Sequence, residues 1–489
     1  MSRYHFYINK IIDNANSSYY PLVSAALLIL ALPWVGFGPI VLVSLVPLFL
    51  FLADTRVSRR RAYTLGGGVI LLYMLCAVYP LMQVEGTWWV GTRGLNKIVS
   101  EHTQYLLLVI LTAVWHTLIF MPVLPIVRKF TSRVWGVPLI SFVWVLFEWG
   151  LTNFGLWGYS IGILGYSLVD TSFIKDVAAF TSVYGLSFVA VYVNAVIVHI
   201  IQKCRKSPAT YSWRKDPFII AFFAVLFLVQ VLIVRQGIGH EQRKTLRVAL
   251  IGSSLSTGAS IGNAGYASYR EKMQSAFTHD PDLILFPENA FPYFELNESD
   301  GTLVKNSLIN FQGRDDLYQD LLMLSRGHAS TTLAIGLHTY RAGKHYNSLV
   351  LYKAGSPVAY YEKRVLVPFT EYVPFKLPIP MYVRFAAGPA RQSLEANGIS
   401  WNALICSEVA DTNIALRKGD PILVSSNDSI FPSAAAGVMH HEMTKVRAIE
   451  NNAYILRATK GGITSIIDNH GLVVAQTTDG VLIRDIPVH

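Results

Sequence analysis

The chain has 489 residues, a mean hydropathy of +0.39 and only 15% charged residues, whereas a soluble domain carries about 25%. The net charge of +10 belongs to residues 1–236, which hold 18 Lys or Arg against 8 Asp or Glu, while residues 237–489 hold 23 of each. Because these basic residues form short clusters between hydrophobic runs, the charge indicates a membrane protein and argues against nucleic-acid binding.

Seven hydrophobic runs fill the first half, each a candidate helix for crossing about 30 Å of hydrocarbon. The first two are short and joined by a tight turn at Val35–Pro39, so they are expected to tilt or to form a shallow hairpin. The sequence therefore predicts a transmembrane domain of about seven helices over residues 1–240. The runs lie at about residues 21–36, 39–53, 63–83, 103–126, 134–153, 177–201 and 217–235.

Loop charges predict the orientation of these helices. Twelve basic residues lie in the loops after the second, fourth and sixth runs, and only three lie in the alternate loops. Since basic residues stay on the cytoplasmic side, the N-terminus is predicted to be cytoplasmic. The seventh helix then leads outward, and residues after about 240 are predicted to be extracytoplasmic.

Two features near the outer ends of the runs have two interpretations each. Glu148 is either a functional acidic residue at membrane depth or a hydrogen-bonded structural one. The aromatic stretch 156–159 and Tyr166 form either an interfacial aromatic belt or a lipid-facing rim that leads to an active site.

From Leu246 the pattern changes to short apolar runs bounded by turn residues, which predict buried strands. Helical periodicity lies between several of them, most clearly at 435–452. Strands that alternate with helices predict an α/β domain over residues 241–489, and no glycine-rich loop for a nucleotide cofactor follows any strand. The predicted strands lie at 246–252, 282–286, 332–337, 347–352, 402–406, 421–425 and 454–458.

Three polar residues stand just beyond predicted strands, where such folds place chemistry. Glu288 follows DLILF, Lys363 lies in YEKR, and Cys406 ends NALIC. A thiol needs a base or a cation to react at neutral pH; a glutamate can take its proton and a lysine can stabilise the oxyanion on the attacked carbonyl. No disulfide framework or metal-ligand spacing involves the three cysteines, so Cys406 is interpreted as a lone reactive thiol.

The second half resembles the nitrilase, or carbon–nitrogen hydrolase, superfamily, whose catalytic residues are Glu, Lys and Cys in that chain order. The resemblance rests on LFPEN, YEKRVLVPFTEYVPF, ALICSE, VSSND and RAIENNAYILRATKGG. It implies an αββα sandwich in which Glu288 is the general base, Lys363 the oxyanion stabiliser and Cys406 the nucleophile. Glu371, Glu408 and Asn427 match family positions that support the site, either directly or as structure around it.

Together with the membrane half, the chain resembles the apolipoprotein N-acyltransferase family over nearly its whole length. This resemblance implies that Cys406 takes an acyl chain from a phospholipid as a thioester and passes it to the amine of a diacylglyceryl-cysteine apolipoprotein. It also implies a bacterial inner-membrane location, a periplasmic catalytic domain and no cofactor or metal. The oligomeric state is left open, and a monomer is compatible with the sequence.

Departures from the family pattern keep two alternatives open. Ser407 replaces an aromatic residue, and Ile430 and Pro432 replace a Trp and a Gly of the family segment that begins at Asn427. The first alternative is a membrane-anchored amidase, or a transferase for another amine. The second is a non-catalytic scaffold with the nitrilase fold.

Three further sets of residues are interpreted from their spacing and composition. The consecutive His440, His441 and Glu442 point in different directions on a predicted helix, so no metal site is expected there. Arg447 is expected to pair with Glu450 across one helical turn. The segments 291–294 and 374–378 are interpreted either as lids over the site or as ordinary loops.

Overall fold

The structure is a computed structural model that covers most of the chain. The residues it describes are 19–82, 95–154, 160–206, 212–237, 244–255, 263–291, 294–297, 302–305, 316–368, 370–373, 384–390, 392, 394–431 and 433–488.

Helices in the first half follow the hydrophobic runs. Among the described residues, five stretches are long and apolar enough to cross a membrane: Arg59–Pro80, Leu106–Phe130, Gly136–Phe154, Lys175–Lys206 and Pro217–Val234. The helices are α1 (Tyr20–Leu30), α2 (Val41–Ser44), α3 (Val46–Ala53), α4 (Arg59–Met82), α5 (Leu95–Phe120), α6 (Val123–Phe130), α7 (Gly136–Phe154), α8 (Ala178–Lys206) and α9 (Pro217–Gly237).

The first two hydrophobic runs form a short hairpin, as their length predicts. Helix α1 has 11 residues, so at 1.5 Å per residue it covers roughly half of the hydrocarbon thickness. The turn of the hairpin meets the segment between α7 and α8, because a Cβ on Gly38 would lie 2.0 Å from the carbonyl oxygen of Ser167. Only glycine permits this close approach of two backbones.

That segment, residues 160–177, is largely buried and mostly non-helical. Its 3₁₀ turn Leu164–Leu168 is fully buried, and its first amides need partners because no water reaches them. Glu148 Oε1 accepts the Leu164 N–H at 3.0 Å and the Trp144 indole N–H at 3.0 Å, while Ser187 Oγ accepts the Gly165 N–H. Glu148 therefore has the structural role of capping this turn.

Strands begin at Lys244 and form two sheets. In the first sheet β14, β1, β2, β5, β6 and β7 are neighbours in that order, and β3, with β4 beyond it, pairs with the far end of β5; the second sheet has the order β13-β12-β11-β10-β9-β8. The strands are β1 (Lys244–Gly252), β2 (Leu283–Leu285), β3 (Phe294–Asn297), β4 (Thr302–Lys305), β5 (Thr332–Arg341), β6 (Lys344–Lys353), β7 (Ser356–Glu362), β8 (Leu394–Ala396), β9 (Ile399–Ile405), β10 (Ile422–Asn427), β11 (Ile455–Lys460), β12 (Thr464–Ile467), β13 (Val473–Thr477) and β14 (Gly480–Val488).

The two sheets pack face to face and helices cover their outer faces. A buried cluster that includes Leu250, Trp401 and Leu423 fills the space between the sheets. Helices α10 (Asn263–Phe277) and α11 (Asp316–Gly327) cover the first sheet, and α12 (Ala434–Asn451) covers the second. The central strands β1, β2 and β5, like β9, β10 and β11, are parallel, so their carboxyl ends meet at one edge of the sandwich.

Helix α12 is also where the sandwich joins the membrane helices. Its start is capped by Ser433, whose hydroxyl accepts the Ala435 N–H, and it ends at Asn452 in the left-handed conformation. Met439, Met443 and Val446 belong to one continuous apolar cluster that includes both β10 and the membrane helices. A helix that is apolar on opposite faces is buried on both. Helix α12 is therefore buried between the second sheet and the membrane helices.

Polar contacts fix the same junction. Ser160 donates its hydroxyl to the Ala410 carbonyl at 2.6 Å, and its N–H lies 3.3 Å from the same oxygen. Helix α8 is broken at Ser182, whose φ is 61°, and there Glu450 of α12 accepts from the Ser182 hydroxyl and from the Val183 N–H. The two halves are therefore held together by packing and by hydrogen bonds.

We expect Ser160→Ala to weaken this junction. The change removes a buried hydroxyl donor, which costs about 1 kcal/mol of unfolding free energy, and the midpoint of thermal unfolding in detergent should fall. Ser141→Ala is the matched control, because Ser141 is equally buried but donates only to the Val137 carbonyl within α7. Equal midpoints for the two variants would contradict the importance of the Ser160 contact.

Candidate active site

Cys406 stands at the start of a tight turn at the carboxyl edge of the second sheet. It follows β9 and begins the 3₁₀ helix Cys406–Ala410 with a φ of 51°, a strained value for a residue with a side chain. The thiol is buried, and the Asn427 backbone N–H points to its sulfur. Burial and the nearby Glu288 carboxylate raise the pKa of the thiol, against the opposing charge of Lys363, so the resting group is a protonated thiol.

Glu288 faces Cys406 from the other sheet. It lies just beyond β2, its N–H donates to the Ser426 carbonyl at 3.3 Å, and its carboxylate interacts with the Cys406 thiol. Asn347 Nδ2 donates to Glu288 Oε1 at 2.7 Å. Burial raises the pKa of Glu288, and the Lys363 ammonium offsets this effect in part. A carboxylate of raised pKa beside a thiol is suited to accept its proton.

Lys363 reaches the same cluster from the loop after β7. Its ammonium is buried and donates to Glu371 at 2.9 Å. Asn347 Nδ2, which binds Glu288, also donates to Glu371 Oε1 at 3.0 Å. The structure thus brings together Glu288, Lys363 and Cys406, with Glu371 beside them.

Glu408 contacts the backbone on both sides of this cluster. Its carboxylate accepts the N–H groups of Arg364 at 2.7 Å, Val365 at 3.1 Å and Ile405 at 2.8 Å, and the Tyr361 hydroxyl at 2.9 Å. The three N–H donors lie directly after Lys363 or directly before Cys406, and Tyr361 lies two residues before Lys363. Glu408 therefore joins the lysine loop to the cysteine turn, although burial raises its pKa.

A second buried ionic group supports Asn427. The Asn427 side chain accepts from the Ser429 hydroxyl at 2.7 Å, and the next residue, Asp428, binds Arg457 at 2.6 Å and His440 at 2.9 Å. Burial alone would raise the pKa of Asp428, but the charges of Arg457 and His440 outweigh it and hold that pKa far below its usual value. The turn after β10 is thus anchored to β11 and α12.

Sequence reasoning did not single out Lys460, which the structure brings to the same edge. Lys460 ends β11 and is buried, with Nζ 3.4 Å from the Asn289 carbonyl oxygen and in electrostatic interaction with Glu288. The signal was present, because Lys460 stands two residues after the predicted strand 454–458, as Glu288 stands two residues after the predicted strand 282–286. Asn347 and Arg457 were also missed, since each lies within a strand where a polar residue carries no positional signal.

Other residues singled out in the sequence make local contacts. His440 contacts Asp428 whereas His441 contacts Ser465, so the two imidazoles point apart. As expected, Arg447 pairs with Glu450, at 2.9 Å.

The aromatic segments singled out in the sequence include two buried residues and two stretches outside the described residues. Tyr166 is buried and its hydroxyl bonds Ser160, so it belongs to neither an interfacial belt nor a lipid-facing rim. Phe291 packs in the core against Phe286 and Tyr269, which is not the position of a lid. The segments 156–159 and 374–378 lie outside the described residues.

The residues that depart from the family pattern lie at the site. Ser407 is buried directly after Cys406, and its hydroxyl oxygen has no hydrogen-bond partner in the described part of the chain. Ile430 ends the short 3₁₀ turn that follows β10 and is only half-buried.

Comparisons with known proteins agree over both halves. Residues 24–196 match the apolipoprotein N-acyltransferase N-terminal domain, and residues 247–489 match the carbon–nitrogen hydrolase domain. The chain is 28% identical to the apolipoprotein N-acyltransferase of Geobacter metallireducens, over 93% of this chain and 86% of that protein. It is 25% identical to that of Pseudomonas putida, over 93% and 87%.

A partial likeness to a solved structure concerns the second half. An amidase of the nitrilase superfamily from Nesterenkonia AN1 aligns with 50% of this chain and 92% of its own, at 18% identity and a TM-score of 0.37. The predicted fold class, apolar helices followed by a nitrilase-like αββα domain, is confirmed by the family match and by the architecture. The chain is a membrane protein that belongs to the apolipoprotein N-acyltransferase family of the carbon–nitrogen hydrolase superfamily.

Proposed function

We propose that this protein transfers an acyl chain from a phospholipid, through a thioester on Cys406, to the N-terminal amine of a diacylglyceryl-cysteine apolipoprotein. The observation that carries the proposal is the contact between the buried Cys406 thiol and the Glu288 carboxylate, beside the Lys363 ammonium. The relatives' name and the continuous core between the sandwich and the membrane helices support the choice of a lipid donor.

In the first half-reaction Glu288 takes the Cys406 proton as the sulfur attacks the ester carbonyl carbon of the phospholipid. The raised pKa of the thiol makes proton removal during attack necessary, because little thiolate exists beforehand. Lys363 stabilises the oxyanion that forms. The C–O bond then breaks, the glycerol oxygen takes the proton from Glu288, and a lysophospholipid leaves behind a thioester.

In the second half-reaction the neutral amine of the acceptor attacks the thioester carbonyl. Glu288 takes a proton from the attacking nitrogen, the C–S bond breaks, and the same proton returns to the Cys406 sulfur. An amide forms and the thiol is restored, so no cofactor or oxidant is required. Exclusion of water from the thioester decides between transfer and hydrolysis, and the burial of all three side chains supports this exclusion.

The supporting residues have distinct roles in this proposal. Glu371 fixes the Lys363 ammonium at 2.9 Å, and Asn427 contributes its backbone N–H to the Cys406 sulfur. Glu408 holds the backbone on either side of the site, so it acts as a positioning residue. The catalytic domain, residues 241–489, is proposed to lie in the periplasm, and residues 1–240 are proposed to span the cytoplasmic membrane.

Cys406→Ala is expected to abolish the acyl-enzyme. Incubation with phospholipid alone should add an acyl-sized mass to the wild-type protein, and hydroxylamine should remove it, because it cleaves thioesters. Cys204→Ala is the control and should retain the adduct, since Cys204 lies at the end of α8 away from the site. An adduct on Cys406→Ala would refute the proposed nucleophile, and free fatty acid as the main product with a diacylated lipopeptide present would favour the amidase alternative.

Glu408→Gln is expected to slow acyl-enzyme formation and to destabilise the fold. The amide group turns one acceptor oxygen into a donor that faces backbone N–H groups, and each unsatisfied buried group costs about 1–3 kcal/mol. Single-turnover acylation and thermal unfolding measure the two effects. Glu395→Gln, on the exposed face of β8, should change neither, and a wild-type acylation rate for Glu408→Gln would contradict a positioning role.

Labelling should place the sandwich and the loop between α8 and α9 on opposite sides of the membrane. In a background without Cys76 and Cys204, Asp485→Cys should react with an impermeant maleimide on intact spheroplasts, because Asp485 is exposed on β14. Ser212→Cys, exposed in the loop between α8 and α9, should react only after lysis. The reverse pattern would show that the orientation is inverted.

A further inference from the structure

Two carboxylates and one lysine ammonium are buried close together around Glu288. Glu288 and Glu371 are two carboxylates, and both lie near the Lys363 ammonium. Glu371 binds that ammonium directly at 2.9 Å, and it also raises the pKa of Glu288 as a like charge. One lysine between two buried carboxylates leaves one negative charge without compensation, which is costly in a site that excludes water.

Lys460 supplies a second positive charge to the same cluster. It comes from β11 in the second sheet, whereas Lys363 follows β7 in the first, so Glu288 has a lysine on each of two different elements. The Lys460 ammonium lies 3.4 Å from the carbonyl oxygen of Asn289, the residue after Glu288. Lys460 is paired across the strands with Asn427, whose N–H points to the Cys406 sulfur.

The hydrogen bond from Lys460 supports the backbone at Asn289. Its φ is 52°, in the left-handed region, so the backbone directly after Glu288 is strained and needs support from its surroundings. The hydrogen bond from Lys460 to the Asn289 carbonyl provides such support. Lys460 therefore acts on Glu288 twice, through its charge and through the turn that carries the carboxylate.

We propose that Lys460 is a positioning residue for acyl transfer, the counterion that keeps Glu288 ionised and directed at Cys406 while Lys363 is paired with Glu371. This inference rests on the proposed function of Glu288 as the base. Burial lowers the pKa of Lys460 to about 8, against the opposing effect of Glu288, so its charge is present at neutral pH. With Glu288 compensated in this way, Lys363 retains donor capacity for the oxyanion.

Five charged or titratable groups lie around Glu288, and they come from four segments of the chain. They are Lys363 after β7, Glu371 in the loop after it, Cys406 after β9, Lys460 on β11 and, through Cys406, Asp428 after β10. Asp428 is neutralised by Arg457, and Cys406 is uncharged at rest. Removal of Lys460 therefore changes the balance at Glu288 by one positive charge, with no other group placed to replace it among the described residues.

The test compares the pH dependence of thioester formation in wild type, Lys460→Met, Lys460→Gln and Lys460→Arg. Loss of a positive charge raises the pKa of Glu288, and acylation needs the ionised carboxylate. The rising limb of the single-turnover rate should therefore move up by about one pH unit in the two neutral variants. On the rising limb, that shift is about a tenfold loss of rate, with recovery towards the wild-type rate at alkaline pH.

The controls separate electrostatics from structure. Lys460→Arg keeps the charge and should keep the wild-type midpoint. Lys353→Met removes a part-buried lysine that binds the Asn397 side chain, so its profile should be unchanged. Equal losses at every pH in the neutral variants, with no change of midpoint, would overturn the proposal. If wild type forms no thioester at any pH, the proposed function itself is wrong, which is a distinguishable result.

A second measurement does not depend on the folding of the Lys460 variants. The infrared difference between wild type and Glu288→Gln reports the ionisation of this carboxyl at neutral pH. A carboxylate band is expected, whereas the carbonyl band of a protonated acid would overturn the role of Lys460 as counterion.

Discussion

The site depends on one buried carboxylate that takes no part in the proposed chemistry. Glu408 has no exposed surface, and its four donors come from two separate segments, residues 361–365 around Lys363 and the strand before Cys406. An ionised carboxylate in such a place is stable only when its lone pairs are satisfied, and three backbone N–H groups and the Tyr361 hydroxyl satisfy them here. The same bonds set the distance between the lysine loop and the cysteine turn, so the positions of the reacting groups follow from the demand for satisfied hydrogen bonds. This arrangement is rigid, because the loss of any one of these hydrogen bonds leaves the buried carboxylate with an unsatisfied lone pair.

Around Glu408, other buried charged residues are paired with one another, and these pairs extend to the membrane helices. Asp428 binds Arg457 and His440, and His440 lies on α12, the helix that packs against the membrane helices. At the far end of α12, Glu450 pairs with Arg447 and bonds Ser182 at the break in α8. The catalytic edge of the second sheet is therefore connected through one helix to the membrane part.

Much of this architecture could be predicted, and the omissions have physical causes. The seven predicted strands all exist, because each is a short apolar run between turn residues. Strands such as β7 and β13 were missed since their outward faces are polar or exposed, which hides the apolar alternation. Glu288 and Cys406 were found because they stand at the ends of buried strands, and Lys363 because it lies in a motif of the resemblance. Their convergence agrees with the resemblance, although their catalytic roles stay predictions. Asn347 and the contact of Ser160 with Ala410 depend on pairings distant in sequence, which local pattern does not report.

The buried, non-helical segment at residues 160–177 has a consequence for how lipid reaches the thiol. Ser160 is bonded to Ala410, the last residue of the turn that begins at Cys406, and the hairpin at Gly38 packs against the same segment from the other side. Polypeptide thus lies against the end of the turn that carries Cys406. In the proposed reaction, an acyl chain that reaches the thiol has to pass beside this buried segment and not through it.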